Sequence, residues 1–515
     1  MMVKGVLKIT LFVLLFSCLT IGRAEEVSFY DTDSNAVLIK GNDFLSDSIP
    51  QEIIRKEEPT SNLCKSLWIS TAEVVGINVF VNSFDRFILD AEFARVSFHS
   101  IQHNIENGFV WDYDKFSTNL FFHPYHGGLY FNAARSNGLN FWQSAPFSLF
   151  GSFMWEVAGE VEPPSINDIF ATTLGGIAIG EITHRLSNLV IDESSYGWER
   201  FFREFFVTAI CPIKGLNRIL RGEAWQHKTS LYKYHDFEFI PVDFSLSGGW
   251  RYLADKGSLV RGESNPFVIA RVDYGDVYNT AINKPYDYFS AQINLSLSAN
   301  QPLISEVHFV GRLYGLDINT NTSVKSQVGF FQHFNYYDSE PVIDGLTQVP
   351  YRISEAASLG VGLIYSIKDL GNLSMLSQQI YANGVLLGGS ISDYFNNIDR
   401  DYNLASGFAV HLRTNVEFSR YGRFLLNADY YKLWTWKGIE TIKHPENKDP
   451  LYLNVQGNKS NASLMVVSPS IEMTLQEHLD FILSTSYYFR LTEYDYYKNI
   501  ESNTFELKIG LKYNI

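Results

Sequence analysis

The chain has 515 residues, with 41 Lys and Arg against 56 Asp and Glu, for a net charge of −15. The acidic residues are spread along the chain and no basic face forms, which argues against nucleic acid as a partner. Charged residues make up only 19% while 30 Tyr and 39 Phe raise the aromatic share to 15%. With a mean hydropathy of −0.07, this excludes a polytopic helical membrane protein and suits a barrel in which every second residue faces a polar lumen.

Residues 1–24 read as a secretory signal peptide: Lys4 and Lys8, an apolar Ile9–Ile21, then Gly22-Arg23-Ala24 as small residues for cleavage. The apolar run is too short to span a bilayer comfortably. The alternative is a lipoprotein signal acylated at Cys18, which the bulky Phe16 fits poorly. Cys64 and Cys211 remain after cleavage and can pair in only one way in an oxidising compartment. Cys211, closing FFVTAIC before Pro212, fits equally well as a small buried hydrophobe.

Residues 25–65 form a polar mature extension, 66–235 a helical unit and 236–515 a barrel. Leu67 to about Leu89 is apolar at helical spacing, with Asp85 and Arg86 making it a poor bilayer span. Phe93–Ile101 (FARVSFHSI) alternates like a short strand, and 104–119 is turn-rich. Helices are expected over Leu129–Ser136, Pro146–Glu160, Ile166–Gly180 and Trp198–Cys211. Proline is tolerated in a first turn, and Ser165 with Asp168 three residues on matches a capped helix start. Gly175, Gly176 and Gly180 permit close approach of a neighbouring backbone.

From about 240 the pattern changes to strict alternation. Phe289, Ala291, Ile293, Leu295 and Leu297 interleave with Ser290, Gln292, Asn294, Ser296 and Ser298. Phe408, Val410 and Leu412 oppose His411 and Arg413, and Phe481 and Leu483 oppose Asp480 and Ser484. Only a strand puts alternate residues on opposite faces. Strands starting near 240, 266, 286, 304, 324, 351, 376, 404, 422, 461, 478 and 503 make about twelve, each near the length of an outer-membrane strand. The last, with Phe505, Leu507, Ile509, Leu511 and Tyr513 on one face, is expected to close against the first. The fold class is therefore an antiparallel transmembrane barrel of about twelve strands, with a small helical domain plugging it or docking on it.

The polar residues of the helical unit are the candidate site. Glu156 and Glu160, spaced i,i+4, would share a helical face. With His126 and Asp168 they are the candidate catalytic set, since paired carboxylates can differ in pKa and divide acid and base work. His123, Asn132, Arg135, Asn167, Glu181, Arg185, Arg200 and Arg203 are candidates for a ligand-binding or lumenal network. The same stripe also fits a purely structural network gluing helices to a polar wall. The His123-Pro-Tyr-His126 spacing is a weak metal signal without a supporting HExxH or cysteine pair, so no metal and no cofactor is expected. Ser144, Ser148 and Ser152 lie on one face and fit close helix packing better than nucleophilic catalysis.

Three segments, HPYHGGLYFNAARSNG, GSFMWEVAGEVEPPSINDIFATTLGGIAIGE and RFFREFF with PIKGLNRILRG, together resemble an uncharacterised bacterial family that carries a conserved domain of unknown function. The resemblance covers roughly 90–225. It implies export to the envelope of Gram-negative-type cells and no assigned activity. It also implies that His123, His126, Asn132, Arg135, Glu156, Glu160, Asn167, Asp168, Glu181, Arg185, Arg200 and Arg203 lie in hallmark motifs.

Three functions remain in play. The first is an outer-membrane barrel serving envelope maintenance, or passage of a small or lipidic molecule past a helical plug. The second is an outer-membrane hydrolase of lipid or envelope glycan, and the third a non-catalytic structural or assembly partner. Expected partners are outer-membrane lipid, a small-molecule or lipid ligand, and the barrel-assembly machinery during biogenesis.

Overall fold

The computed structural model describes residues 60–111, 114–227, 240–255, 258, 260–278, 283–321, 323–342, 349–371, 373–394, 401–418, 421–438 and 457–515. The signal peptide, Cys18 and nearly all of the 25–65 extension lie outside the described residues. Contacts divide the chain into two compact units. One holds Met1–Glu92, Leu129–Phe147 and Thr183–Phe239, the other Phe93–Gly128, Ser148–Ile182 and Ile240–Ile515.

The helices are α1 (Thr60–Phe87), α2 (Phe98–Asn107), α3 (His123–Ser136), α4 (Phe141–Ala158), α5 (Ile166–Phe170), α6 (Gly176–Val190), α7 (Gly197–Ile210) and α8 (Pro212–Leu220). A wide π-type turn over Thr118–Phe122 leads into α3, and another over Ala171–Gly175 joins α5 to α6. Such turns insert an extra residue into a helix and often mark functional sites.

Two expectations fail here for local reasons. The strand expected over 93–101 is a short 3-10 turn followed by α2, because Ser97 and Ser100 form a reciprocal capping box. The helix expected to begin at Pro146 begins at Phe141 and carries Pro146 in its interior. Asn140 Oδ1 accepts from Gln143 N at 2.9 Å and Gln143 Oε1 from Asn140 N at 3.0 Å, so a second reciprocal cap starts the helix earlier.

Glycines set the crossing of α3 with the helix that follows α5. A Cβ on Gly127 would lie 1.7 Å from the Thr172 carbonyl oxygen, and one on Gly176 would lie 2.6 Å from Gly127 Cα. The expected close approach at Gly176 is present. Cys211 is buried and free, while the side chain of Cys64 lies outside the described residues.

Twelve antiparallel strands close into a barrel: β1 (Val242–Ala254), β2 (Gly262–Tyr274), β3 (Phe289–Ser296), β4 (Ile304–Thr320), β5 (Val324–Tyr337), β6 (Ile353–Leu370), β7 (Leu373–Ile391), β8 (Tyr402–Phe418), β9 (Gly422–Thr435), β10 (Ser460–Gln476), β11 (Leu479–Tyr494) and β12 (Ile500–Asn514). The last strand pairs with the first, with Trp250 opposite Ile509 and Arg251 opposite Lys508, so no edge is left open.

Alternation then sorts the side chains. Phe244, Leu246, Trp250, Leu316, Phe330, Val361, Phe408, Trp434, Met465, Phe489, Ile509 and Leu511 form an exposed apolar outer face. Arg251, Arg312, His333, Glu355, His411, Asp429, Arg490, Glu506 and Lys508 turn inward and are buried.

The lumen is filled from its own wall. Lys508 Nζ of β12 lies 3.4 Å from Glu306 Oε1 of β4, and Tyr488 Oη of β11 donates to that same oxygen at 3.0 Å. Arg251 pairs with Glu506. Tyr337 Oη of β5 donates to Asp429 Oδ2 of β9 at 3.0 Å. His411 Nδ1 lies 2.6 Å from Asp429 Oδ1, and its Nε2 lies 3.1 Å from Glu355 Oε2. The His333 ring stacks on the His411 ring at 5.0 Å. The contacts of Glu306 with Lys508 and Tyr488, of Tyr337 with Asp429, and of His411 with Glu355 and His333 join strands that are not neighbours in the sheet, so they cross the interior, whereas Arg251–Glu506 and His411–Asp429 tie adjacent strands. Buried charges are tolerated because each has an opposite partner.

Candidate functional site

The site begins where segments of the N-terminal half meet the barrel wall within the second unit. Asn119 Nδ2 donates to Tyr402 Oη at 2.7 Å, and Tyr402 Oη donates to the Asp114 carbonyl at 2.7 Å. Gln332 Nε2 donates to the Leu174 carbonyl at 2.8 Å. Phe116 packs on Tyr336 and edge-on against Tyr402, Phe121 lies against Phe334, and the Arg352 guanidinium sits over the Phe116 ring.

Strand parity shows which side this is. Exposed Val328 and Phe330 share a face of β5 with Gln332, Phe334 and Tyr336, whereas Phe331, His333 and Tyr337 face inward. These contacts therefore lie on the outward wall, where β5 ends and β6 begins and where β7 ends and β8 begins. The docking alternative fits them. The plug does not, because the seated segments touch the outer face and the interior is already occupied by side chains.

From this seat the chain turns into α3. His123 opens the helix, and its Nε2 lies 3.7 Å from Asp168 Oδ1 and 3.9 Å from Asp114 Oδ2. Asp168 stands in the first turn of α5, capped by Ser165, whose Oγ accepts from Asp168 N at 3.4 Å. Asn167 Nδ2 donates to Asp168 Oδ1 at 2.9 Å, and Ser165 Oγ donates to Asn167 Oδ1 at 2.8 Å. The reciprocal half of the expected capping box comes from elsewhere: Ser165 N donates to Glu156 Oε2 of α4 at 2.7 Å. His123, Glu156 and Asp168 thus offer one ligand atom each, all within 4.8 Å of one another.

Burial raises the Asp168 carboxyl; the His123 charge and the Ser165 and Asn167 bonds work against that rise, and the Asp114 carboxylate adds to it. His126 stands apart from the cluster. Its ring meets Trp155 edge-on at 5.3 Å, and burial, with the charge on His123, pushes its pKa down to about 3. It is held neutral at ordinary pH.

The other candidates separate. Glu160 lies beyond the end of α4 at Ala158, so the i,i+4 face it was to share with Glu156 is not formed. Its carbonyl accepts from Asn104 Nδ2 at 3.0 Å. Asn132 donates to Thr183 Oγ1 at 2.9 Å and Arg135 to the Leu139 carbonyl at 2.7 Å. Glu181 is fully buried in α6, and Arg185, one turn on, is partly buried. Arg200 ties the Asp192, Glu223 and Ala224 carbonyls together and pairs with Glu204 at 3.0 Å. Arg203 pairs with Glu199 at 2.8 Å on the surface. Ser148 Oγ donates to the Gly127 carbonyl at 3.1 Å and Ser152 Oγ to the Asp168 carbonyl at 3.4 Å, the packing role expected of that stripe.

Residues 108–213 match a family described as a domain of unknown function (DUF3943). A domain of that kind in this region is what the motif resemblance implies. No curated protein matches the chain. Similar solved structures include the NanC porin, at 9% identity over 53% of this chain and 99% of that one, with a TM-score of 0.26. OmpT, an outer-membrane protein of Vibrio cholerae, is similar at 8% identity over 54% and 97%, with a TM-score of 0.24. The outer-membrane channel DcaP of Acinetobacter baumannii is similar at 10% identity over 54% and 97%, with a TM-score of 0.22. At TM-scores this low the likeness decides nothing about this chain.

Proposed function

We propose that this is an exported outer-membrane protein in which the barrel is a filled anchor and the helical region, whose segments 114–124 and 171–175 seat on the outward wall, handles a lipidic molecule of the envelope. Residues 1–24 would direct export, and the apolar outer face would stand against outer-membrane lipid. Closed barrels suit that position because every strand satisfies its backbone without water.

The observation that carries the reading is the seating of 114–124 and 171–175 on the outer face of β5 to β8, which puts the His123, Glu156 and Asp168 cluster beside the wall rather than in a pore. The helices also expose large apolar side chains, among them Trp68 of α1, Phe153 of α4 and Trp198, Phe201, Phe202, Phe205 and Phe206 of α7. Exposed apolar surface on this scale marks contact with lipid or with a partner.

The test is to reconstitute the full chain in vesicles of outer-membrane lipid and analyse bound and released lipid by mass spectrometry. Selective lipid enrichment with no single-channel conductance supports the reading. Steady conductance, or no lipid selectivity, overturns it.

Hydrolysis is the second reading, favoured by the two buried carboxylates grouped with an imidazole. Glu156→Gln would then leave a folded barrel and abolish release of a lipid or glycan product.

A further inference from the structure

We propose that His123, Glu156 and Asp168 form a divalent metal site, one imidazole and two carboxylates, that clasps the starts of α3 and α5 to α4. The three donor atoms lie within 4.8 Å of one another although they come from three separate segments. The His123 Nε2 to Asp168 Oδ1 distance of 3.7 Å is too long for a hydrogen bond. It matches the spacing of two ligands about one first-row cation, roughly 3–4 Å for bonds near 2.1 Å.

Charge points the same way. Glu156 and Asp168 are almost fully buried, and the exposed Asp114 carboxylate stands 3.9 Å from the same imidazole nitrogen. The charged groups that act on Asp168 are His123, which favours its charged form, and Asp114, which opposes it. A bound cation would place positive charge between the two buried carboxylates.

The supporting bonds suit ligands held in place. Asn167 Nδ2 donates to Asp168 Oδ1 and Ser165 N to Glu156 Oε2, so both carboxylates are held in orientation. Imidazole with carboxylates suits zinc or manganese rather than copper(I) or an iron–sulfur cluster. The flanking π-type turns at Thr118–Phe122 and Ala171–Gly175 bring His123 and Asp168 to the same place. Metal binding would then lock the segments that seat on the barrel wall.

The test uses the full chain in detergent, stripped with a chelator, given Zn2+ or Mn2+, desalted and assayed for metal. Heat-shifted gel mobility confirms the barrel in every sample. Wild type should retain about one equivalent. His123→Ala and Asp168→Asn should lose affinity by more than the roughly 10–100-fold that removal of an outer-shell partner costs. A wild type that retains no metal, or variants that retain it equally, overturns the proposal.

Because a ligand variant could lose the local fold, His123→Cys with Co2+ provides a second readout. A thiolate-to-cobalt charge-transfer band absent from wild type supports the site, and its absence from a heat-shifting variant overturns it. Neither readout depends on lipid handling, so failure of the metal site and failure of the lipid reading are separable.

Discussion

The barrel and the helical region both bury charge, but they do so by different rules. In the barrel, Arg251 meets Glu506 and His411 sits between Glu355 and Asp429, so these buried charges have opposite neighbours on adjoining or facing strands. Around His123 two buried carboxylates and an exposed third share one imidazole. The first arrangement holds a wall together from inside. The second gathers ionisable side chains from three segments, two of them beside stretches that the wall supports from outside, which makes it the better place to look for function.

The comparison can be broken by removing one partner from each kind of site. The largest effect is expected from Glu506→Gln, which leaves the Arg251 guanidinium at 1% exposure without its carboxylate. Stranding a buried charge costs roughly 3–5 kcal/mol, so the heat-shift temperature should drop sharply. An unchanged temperature would mean that water reaches the lumen and the barrel is not filled.

A slightly smaller effect is expected from acid at His126. Its folded pKa of about 3 lies below the ordinary 6.5, so the unfolded chain binds the extra proton between those values and stability falls as pH drops through that window. At about 1.4 kcal/mol per pH unit, discounted for partial exposure, the loss by pH 3 is roughly 3–4 kcal/mol. His126→Phe should flatten the pH dependence of tryptophan fluorescence from Trp155, while the barrel heat shift stays unchanged. A wild type with no such dependence would place the histidine in water.

Ser165→Ala removes the cap of α5 and one bond to Asn167, and should cost about 1 kcal/mol, seen as faster hydrogen exchange at Asp168. Arg203→Ala breaks its pair with Glu199 and its bond to the Val190 carbonyl and should cost no more than about 1 kcal/mol. A larger effect would give Arg203 a role beyond these two contacts.

The two regions also differed in how much could be read from sequence. Strand alternation is local, so Phe408, Val410 and Leu412 against His411 and Arg413 declared their faces, and the expected strand starts fall close to the observed ones. The N-x-x-Q start at Asn140 and the S-x-x-S start at Ser97 stand in the sequence but went unread beside Pro146 and a short alternating run. The site was only half legible. Glu156 and Asp168 were recognised, but His123 joins them in place of His126 because a π-type turn precedes α3 and rotates the helix start. Glu160 dropped out because Gly159 and the turn after Ala158 end the helix first. Inside or outside the barrel could not be read at all, since it depends on bonds such as Asn119 to Tyr402, 283 residues apart in the chain.

The most direct test of the outward seating is thiol cross-linking in the outer-membrane fraction with a short bifunctional reagent. Leu120 Cδ1 lies 2.3 Å from the position a Cβ would take on outward-facing Gly389, whereas Asn403, donating to Ser460 Oγ at 3.1 Å, faces inward. A heat-shifting Leu120→Cys/Gly389→Cys chain that cross-links, beside a Leu120→Cys/Asn403→Cys chain that does not, is the result predicted. Cross-linking to position 403 instead, or no heat-shifting species in that fraction, would contradict the seating of segment 114–124 on the outer wall of a filled barrel.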